Sequence, residues 1–167
     1  MNNATIGKIE VERFVLKSGK PFGATAAALE ATVGHPDILS LAKAFRDAPS
    51  FAALESEIRR GLGESGFMLF MKLDHGAVLR KESGGNSPNM IRFIVGNPLI
   101  MKEMAKRVPD AGSYAPVTIL LDERADGVYL SYDRMAGFLA PYGNPEALAV
   151  ARDLDSKIEA LLRAAAA

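Results

Sequence analysis

Apolar and polar positions along this chain switch between two periods, and the switches mark its elements. Lys8 to Gly19, KIEVERFVLKSG, alternates: Ile9, Val11 and Val15 stand against Glu10, Glu12 and Phe14, with Arg13 breaking the row. A period of two closed by Ser-Gly predicts a strand of mixed face. From Pro21 the period lengthens, with Phe22, Ala26, Leu29 and Val33 at helical spacing and Gly34 as the stop. DILSLAKAFRDAP offers a second, short helix with Ile38, Leu41, Ala42 and Phe45 as its stripe. Ser50 caps a third, which carries Phe51, Leu54, Ile58 and Leu62 on one side. Phe67 to Leu73, FMLFMKL, is short and almost continuously apolar, the pattern of a central strand. The next stretch, DHGAVLRKESGGNSPNM, loses its period and gathers Gly, Ser, Asn and Pro, which predicts a loop or loose hairpin.

Three more strands follow in MIRFIVG, APVTILLDE and GVYLSYD, the last two joined through Asp126-Gly127, a hairpin signal that needs positive φ. The closing segment has one stripe of Leu148, Ala151, Leu154, Ile158 and Leu161, with Asn144 as cap and Pro145 in the first helical position. Asp153 with Lys157, and Glu159 with Arg163, are pairs in the favourable order. A helical first third, clustered strands and no βαβ alternation predict an α+β fold. Its antiparallel sheet has about five strands, with helices packed on one face and the long C-terminal helix among them. A single domain, 1–167, accounts for the whole chain.

Gly-Asn-Pro occurs at 96–98 and again at 143–145, each time before a helical pattern. Asn accepts a bond from a free amide of the first turn, and Pro at the first helical position gives up only an N–H without a partner there. The tripeptide specifies a corner into a helix. It lacks the further glycines of a dinucleotide loop and the Gly-Lys-Ser/Thr of a phosphate loop. Its functional reading rests on Asn97 alone, because any helix N-terminus attracts an anion.

Charge removes several classes of function. Lys plus Arg equals Asp plus Glu at 20 each, and the longest basic run is Lys106-Arg107, so the chain has no field for a nucleic-acid partner. Without cysteine there is no disulfide, thiolate catalysis or thiolate metal site. The start, MNNATIGKIEVE, lacks the layout of a signal peptide, and no apolar run is long enough to span a membrane. The expectation is a cytoplasmic protein without metal or cofactor.

Chemistry is carried by few residues. Asp74-His75 follows an apolar strand and opens the loop, where an acid/base or ligand is commonly placed. A histidine that merely ends the strand by bonding backbone is the plainer reading, since neighbours on an extended chain point apart. His35, 40 residues earlier in GHPD, reads as a turn residue before proline. With Asp37 or Asp74 it makes no recognisable metal spacing. Met101 and Met104 are one helical turn apart and read as core, while Met68 and Met71 fall on opposite sides of a strand. Tyr132 with Asp133 can line a groove, although a tyrosine wedged in a core is commoner. Arg92, alone among apolar residues in MIRFIVG, either snorkels from an edge or meets an anion on an open sheet face.

Residues 66–165 resemble the bacterial family catalogued as domain of unknown function 302. The resemblance rests, in order, on GFMLFMKLDHG, IVGNPLIMKEM, VPDAGSYAPVTILLDE, DGVYLSYD and the closing helix, while 35–50 looks like an insertion. It implies an α+β fold like that of the TATA-binding protein, often dimeric, without implying DNA binding, and it implies no established activity. Two functions from different classes remain. One is a binding module, for a small or anionic ligand or for a protein, using the sheet face near Asp74, His75, Arg92, Asn97, Tyr132 and Asp133. The other is a cofactor-free enzyme with His75 as general base and Asp74 or Asp133 as its orienter. Strands apolar on both sides further predict a homodimer, with Phe67, Leu69, Met71, Phe93 or Val95 at its contact.

Overall fold

A computed structural model describes residues 4–167 of the chain. Its strands are β1 (Arg13–Lys17), β2 (Met68–Asp74), β3 (Met90–Gly96), β4 (Val117–Arg124) and β5 (Gly127–Asp133). They form one sheet in the order β1-β5-β4-β3-β2, with every neighbouring pair antiparallel. Helices α1 (Phe22–Thr32), α5 (Pro98–Ala105) and α8 (Pro145–Ala166) pack on one face, and α1 and α5 both lie against α8. This is the α+β architecture that the periodicity predicts.

Alternation along the strands separates the two faces. Ile91, Phe93 and Val95 of β3, Val117, Ile119 and Leu121 of β4, and Leu130 and Tyr132 of β5 turn to the helices and are buried. They meet Leu29 of α1, Met104 of α5, and Ala151, Leu154 and Ile158 of α8 in one core. Full burial of a side chain such as Phe93 stabilises the fold by about 2–3 kcal/mol. The intervening residues, Arg92, Thr118, Leu120, Ser131 and Asp133, point to the opposite, open face. The Asp126-Gly127 hairpin forms as expected, with Gly127 at φ 148°.

Three expectations need correction. FMLFMKL is an edge strand, not a central one. Its apolar run is accounted for by α2 (Ile38–Asp47) and α3 (Phe51–Gly61), whose Leu41 and Ile58 bury Met68 in a second small core. The backbone also covers the start of this edge: Gly34 N–H and Gly63 N–H both donate to the Phe67 carbonyl at 2.9 Å. A Cβ at Gly34 would lie 2.0 Å from the Gly61 carbonyl, so only glycine allows the crossing. Secondly, part of the aperiodic stretch is helical, α4 (His75–Glu82), because Asp74 accepts a bond from Ala77 N–H at 2.8 Å and an ion pair from Arg80 at 3.0 Å. Thirdly, Phe67, Phe93 and Val95 are fully buried beneath this chain's own helices and are not available to a second copy. Leu69 is half-buried against the main core, and Met71 is exposed. No helix of the described residues is long and apolar enough to cross a membrane.

Candidate functional site

The site follows from the register of the open face. Arg92 of β3 lies opposite Leu120 of β4, which lies opposite Ser131 of β5, which lies opposite Val15 of β1. On the next row, Thr118 lies opposite Ile94, and Asp133 opposite Arg13. Beyond the ends of these strands two short helices rise, α6 (Ala111–Tyr114) and α7 (Met135–Leu139). Tyr114 and Phe138 stack there with ring centroids 4.7 Å apart and planes 19° apart. Sheet and helices together enclose a cavity of about 430 Å³, open to solvent on one side. Arg92, Thr118, Leu120, Ser131 and Asp133 form its floor, with His75 at one end and Tyr114, Phe138 and Pro116 at the other.

The two arginines of the lining differ. Arg13 is clasped by Asp133 through two hydrogen bonds of 2.6 and 2.8 Å, an exposed bidentate pair. Those bonds from Arg13, and then its charge, hold the Asp133 carboxyl below the usual aspartate range. Arg92 is paired with no carboxylate among the described residues. One nitrogen donates to Thr118 Oγ1 at 2.9 Å, and its buried Nε has no hydrogen-bond partner. An unpaired buried donor costs about 1–3 kcal/mol, more for a charged group. Arginine is also the side chain whose geometry suits a planar anion.

Behind the cavity a buried acid fixes the wall. Asp155 of α8 is fully buried and accepts from Tyr132 Oη at 2.7 Å, Met135 N–H at 2.7 Å and Ala136 N–H at 3.0 Å. It therefore anchors the first turn of α7 to α8. Burial first, and then the Asp155 charge, pushes the Tyr132 hydroxyl pKa up, so this phenol stays protonated. Sequence reasoning missed Asp155, Tyr114 and Phe138. For Asp155 there was a signal: a carboxylate one turn after Ala151 and three residues before Ile158 interrupts the apolar stripe of α8.

The other candidates separate. His75, Arg92 and Asp133 line one cavity. Tyr132 borders it but turns its ring to the helices, with only 1% of its surface exposed. Asp74 is occupied as the cap of α4 and by Arg80, and makes no part of the cavity lining. Asn97 is spent on structure, accepting from Leu99 N–H at 2.9 Å and donating to the Gly66 carbonyl at 3.0 Å. That is the corner reading of Gly-Asn-Pro, and Asn144 repeats it on Ala147 N–H at 2.9 Å. His35 Nε2 bonds the Glu30 carbonyl at 2.9 Å near the end of α1, and Asp37 caps α2 through Ser40 N–H. A second, smaller cavity of about 120 Å³ lies behind Pro116 and Val117 and is lined by Phe45, Phe70, Met101 and Met104. It is almost wholly apolar.

With this geometry in hand, comparison with known proteins is informative about ancestry. The model of the family described as domain of unknown function DUF302 matches residues 45–165, well over half of the chain. The chain belongs to the DUF302 family. The match starts earlier than the resemblance at 66–165 and takes in part of the 35–50 segment. Among solved structures, the chain is similar to the "uncharacterized conserved protein DUF302 from Bacillus stearothermophilus" at a TM-score of 0.65. The two share 12% identity, and the alignment covers 92% of this chain and 97% of that one. At this identity the likeness concerns the fold alone. No curated protein matches the sequence.

Proposed function

We propose that this DUF302 protein is a binding module that takes a small anionic ligand in the open-face cavity, with Arg92 as the anchor. One observation carries the reading: a guanidinium without a carboxylate partner among the described residues, and with no hydrogen bond from its Nε to them, stands in the floor of a roomy cavity. Native chains seldom leave such a group uncompensated unless water or a ligand completes it. Thr118, Ser131 and Ser113 add hydroxyls to the same lining. A catalytic role for His75 has less support. Its two candidate orienters are already committed, Asp74 to the α4 cap and Asp133 to Arg13. General-base catalysis needs such an orienter within reach.

The test is a thermal-shift titration with acetate, inorganic phosphate and sulfate, in wild type and Arg92→Met. An anion that raises the wild-type midpoint and leaves the Arg92→Met midpoint unmoved is the expected result. Equal shifts in both proteins would discard Arg92 as the anchor. A second reading, a second copy seated on this face, is favoured by exposed Val15 and Met71 at its two edges, 45% and 50% accessible. Light scattering at micromolar concentration separates a 17.9 kDa monomer from a dimer.

A further inference from the structure

Resting on the anion reading of Arg92, we infer that the ligand is a monocarboxylate with a flat apolar body, not a phosphate ester. The first ground is charge. The cavity lining holds two guanidinium groups and one carboxylate, and Asp133 neutralises Arg13 at 2.6 Å, so one positive charge remains, that of Arg92. No lysine lines the cavity. A single compensating charge suits a monoanion, whereas a phosphate ester near neutral pH carries nearly two.

The second ground is the backbone. Phosphate sites commonly add free amides at a helix N-terminus. Two helices of eight or fewer residues start at this cavity, α4 at His75 and α7 at Met135. Ala77 N–H of α4 donates to its Asp74 cap at 2.8 Å, and the first amides of α7, Met135 and Ala136, already donate to the buried Asp155 at 2.7 and 3.0 Å. Those cradles are taken by the protein's own carboxylates. The third ground is the layout of the lining. The Arg92 guanidinium reaches across to Thr118 at 2.9 Å, and the aromatic pair stands beyond Pro116, two residues before Thr118. At the rise of a strand that is about 7 Å. Leu120 and Thr118 floor the cavity on the open face, and Pro116, Tyr114 and Phe138 close the apolar end. A carboxylate at Arg92 therefore carries its body away from the charge and toward the stacked rings. Aromatic partners there favour a planar, unsaturated body over a branched aliphatic one.

Calorimetric titration of the full chain with four probes tests this: trans-cinnamate, cinnamamide, phenyl phosphate and acetate. The expected result is cinnamate binding about tenfold or more tighter than each of the others, one factor of ten being about 1.4 kcal/mol. Phe138→Leu, which keeps the core side filled, should weaken cinnamate several-fold and leave acetate unchanged, and Phe138→Ala should do so more strongly if it folds. Phenyl phosphate binding as tightly as cinnamate overturns the carboxylate class while leaving the anion reading in place. Acetate matching cinnamate, or Phe138→Leu without effect, overturns the flat body on the same terms. Cinnamamide matching cinnamate, or an unchanged Arg92→Met variant, overturns the anion reading and this inference with it. Absence of heat with all four probes at millimolar concentration overturns both.

Discussion

The two faces of the sheet are made from the same five strands, and alternate residues of one strand serve opposite ends. In β3, Ile91 and Phe93 are buried on the helix side, while Arg92 between them carries an uncompensated charge into a cavity. In β5, Leu130 and Tyr132 are buried toward the helices, while Ser131 and Asp133 face the opposite side. On the helix side charge is compensated: the buried Asp155 has three hydrogen bonds, and Arg134, whose Nε is also without a hydrogen bond, lies 3.2 Å from Glu159. On the open side it is not. The difference teaches where stability and function can be separated in this molecule, since a change on one face needs no change on the other.

Substitutions on the two faces should therefore differ by several kcal/mol. Phe93→Ala removes a fully buried ring, and a loss of about 3–5 kcal/mol in chemical denaturation is expected. A loss below 1 kcal/mol would break the contrast from the helix side. Asp155→Ala leaves two backbone donors and a phenol unpaired, at a cost of about 3 kcal/mol. Because those amides start α7, hydrogen exchange at Met135 and Ala136 should also accelerate, and unchanged exchange there would show that α7 is held by other contacts. On the open face, Asp133→Asn should cost only about 0.5 kcal/mol, since the Arg13 pair is exposed and screened. The sign with pH is fixed by the lowered carboxyl pKa of the folded chain. The pair's contribution is present above the ordinary unfolded value near ~3.9 and fades as pH falls through the lower folded value. Acid denaturation of Asp133→Asn should be correspondingly flatter, and an identical acid limb in both proteins would count against the pair.

Much of the helix face was legible in the chain. Periods of two and 3.6 marked the strands and α1, α3 and α8, and Asn97, Asn144 and Asp126-Gly127 announced their corners by chemistry local to the turn. What local pattern does not encode is the company an apolar run keeps. FMLFMKL reads as central because it is apolar on both sides, yet α2 and α3 cover only its start, beside an edge, and Met71 is exposed. Likewise the apolar residues expected at a dimer contact, Phe67, Phe93 and Val95, proved to be covered by this chain's own helices. The open face was half legible. Arg92 stood out as the one charge in an apolar strand. Its neighbours Tyr114 and Phe138 did not, because nothing in their short segments says that α6 and α7 stand over the same end of the sheet. Nor does the sequence reveal that Asp133 belongs to Arg13, a pairing 120 positions apart that exists only through the β1-β5 register.

Arg92→Met combines a small expected change in stability with the largest in binding. Removing a guanidinium whose Nε has no partner, at the loss of one bond to Thr118, should leave the denaturation free energy within about 1 kcal/mol of wild type. One paired measurement decides whether the open face is a site: the denaturation midpoint and the calorimetric titration with trans-cinnamate, made on wild type and Arg92→Met side by side. Equal midpoints with binding heat only in the wild type are the predicted result. Equal binding in both proteins, or a variant that unfolds as readily as Phe93→Ala, would contradict it.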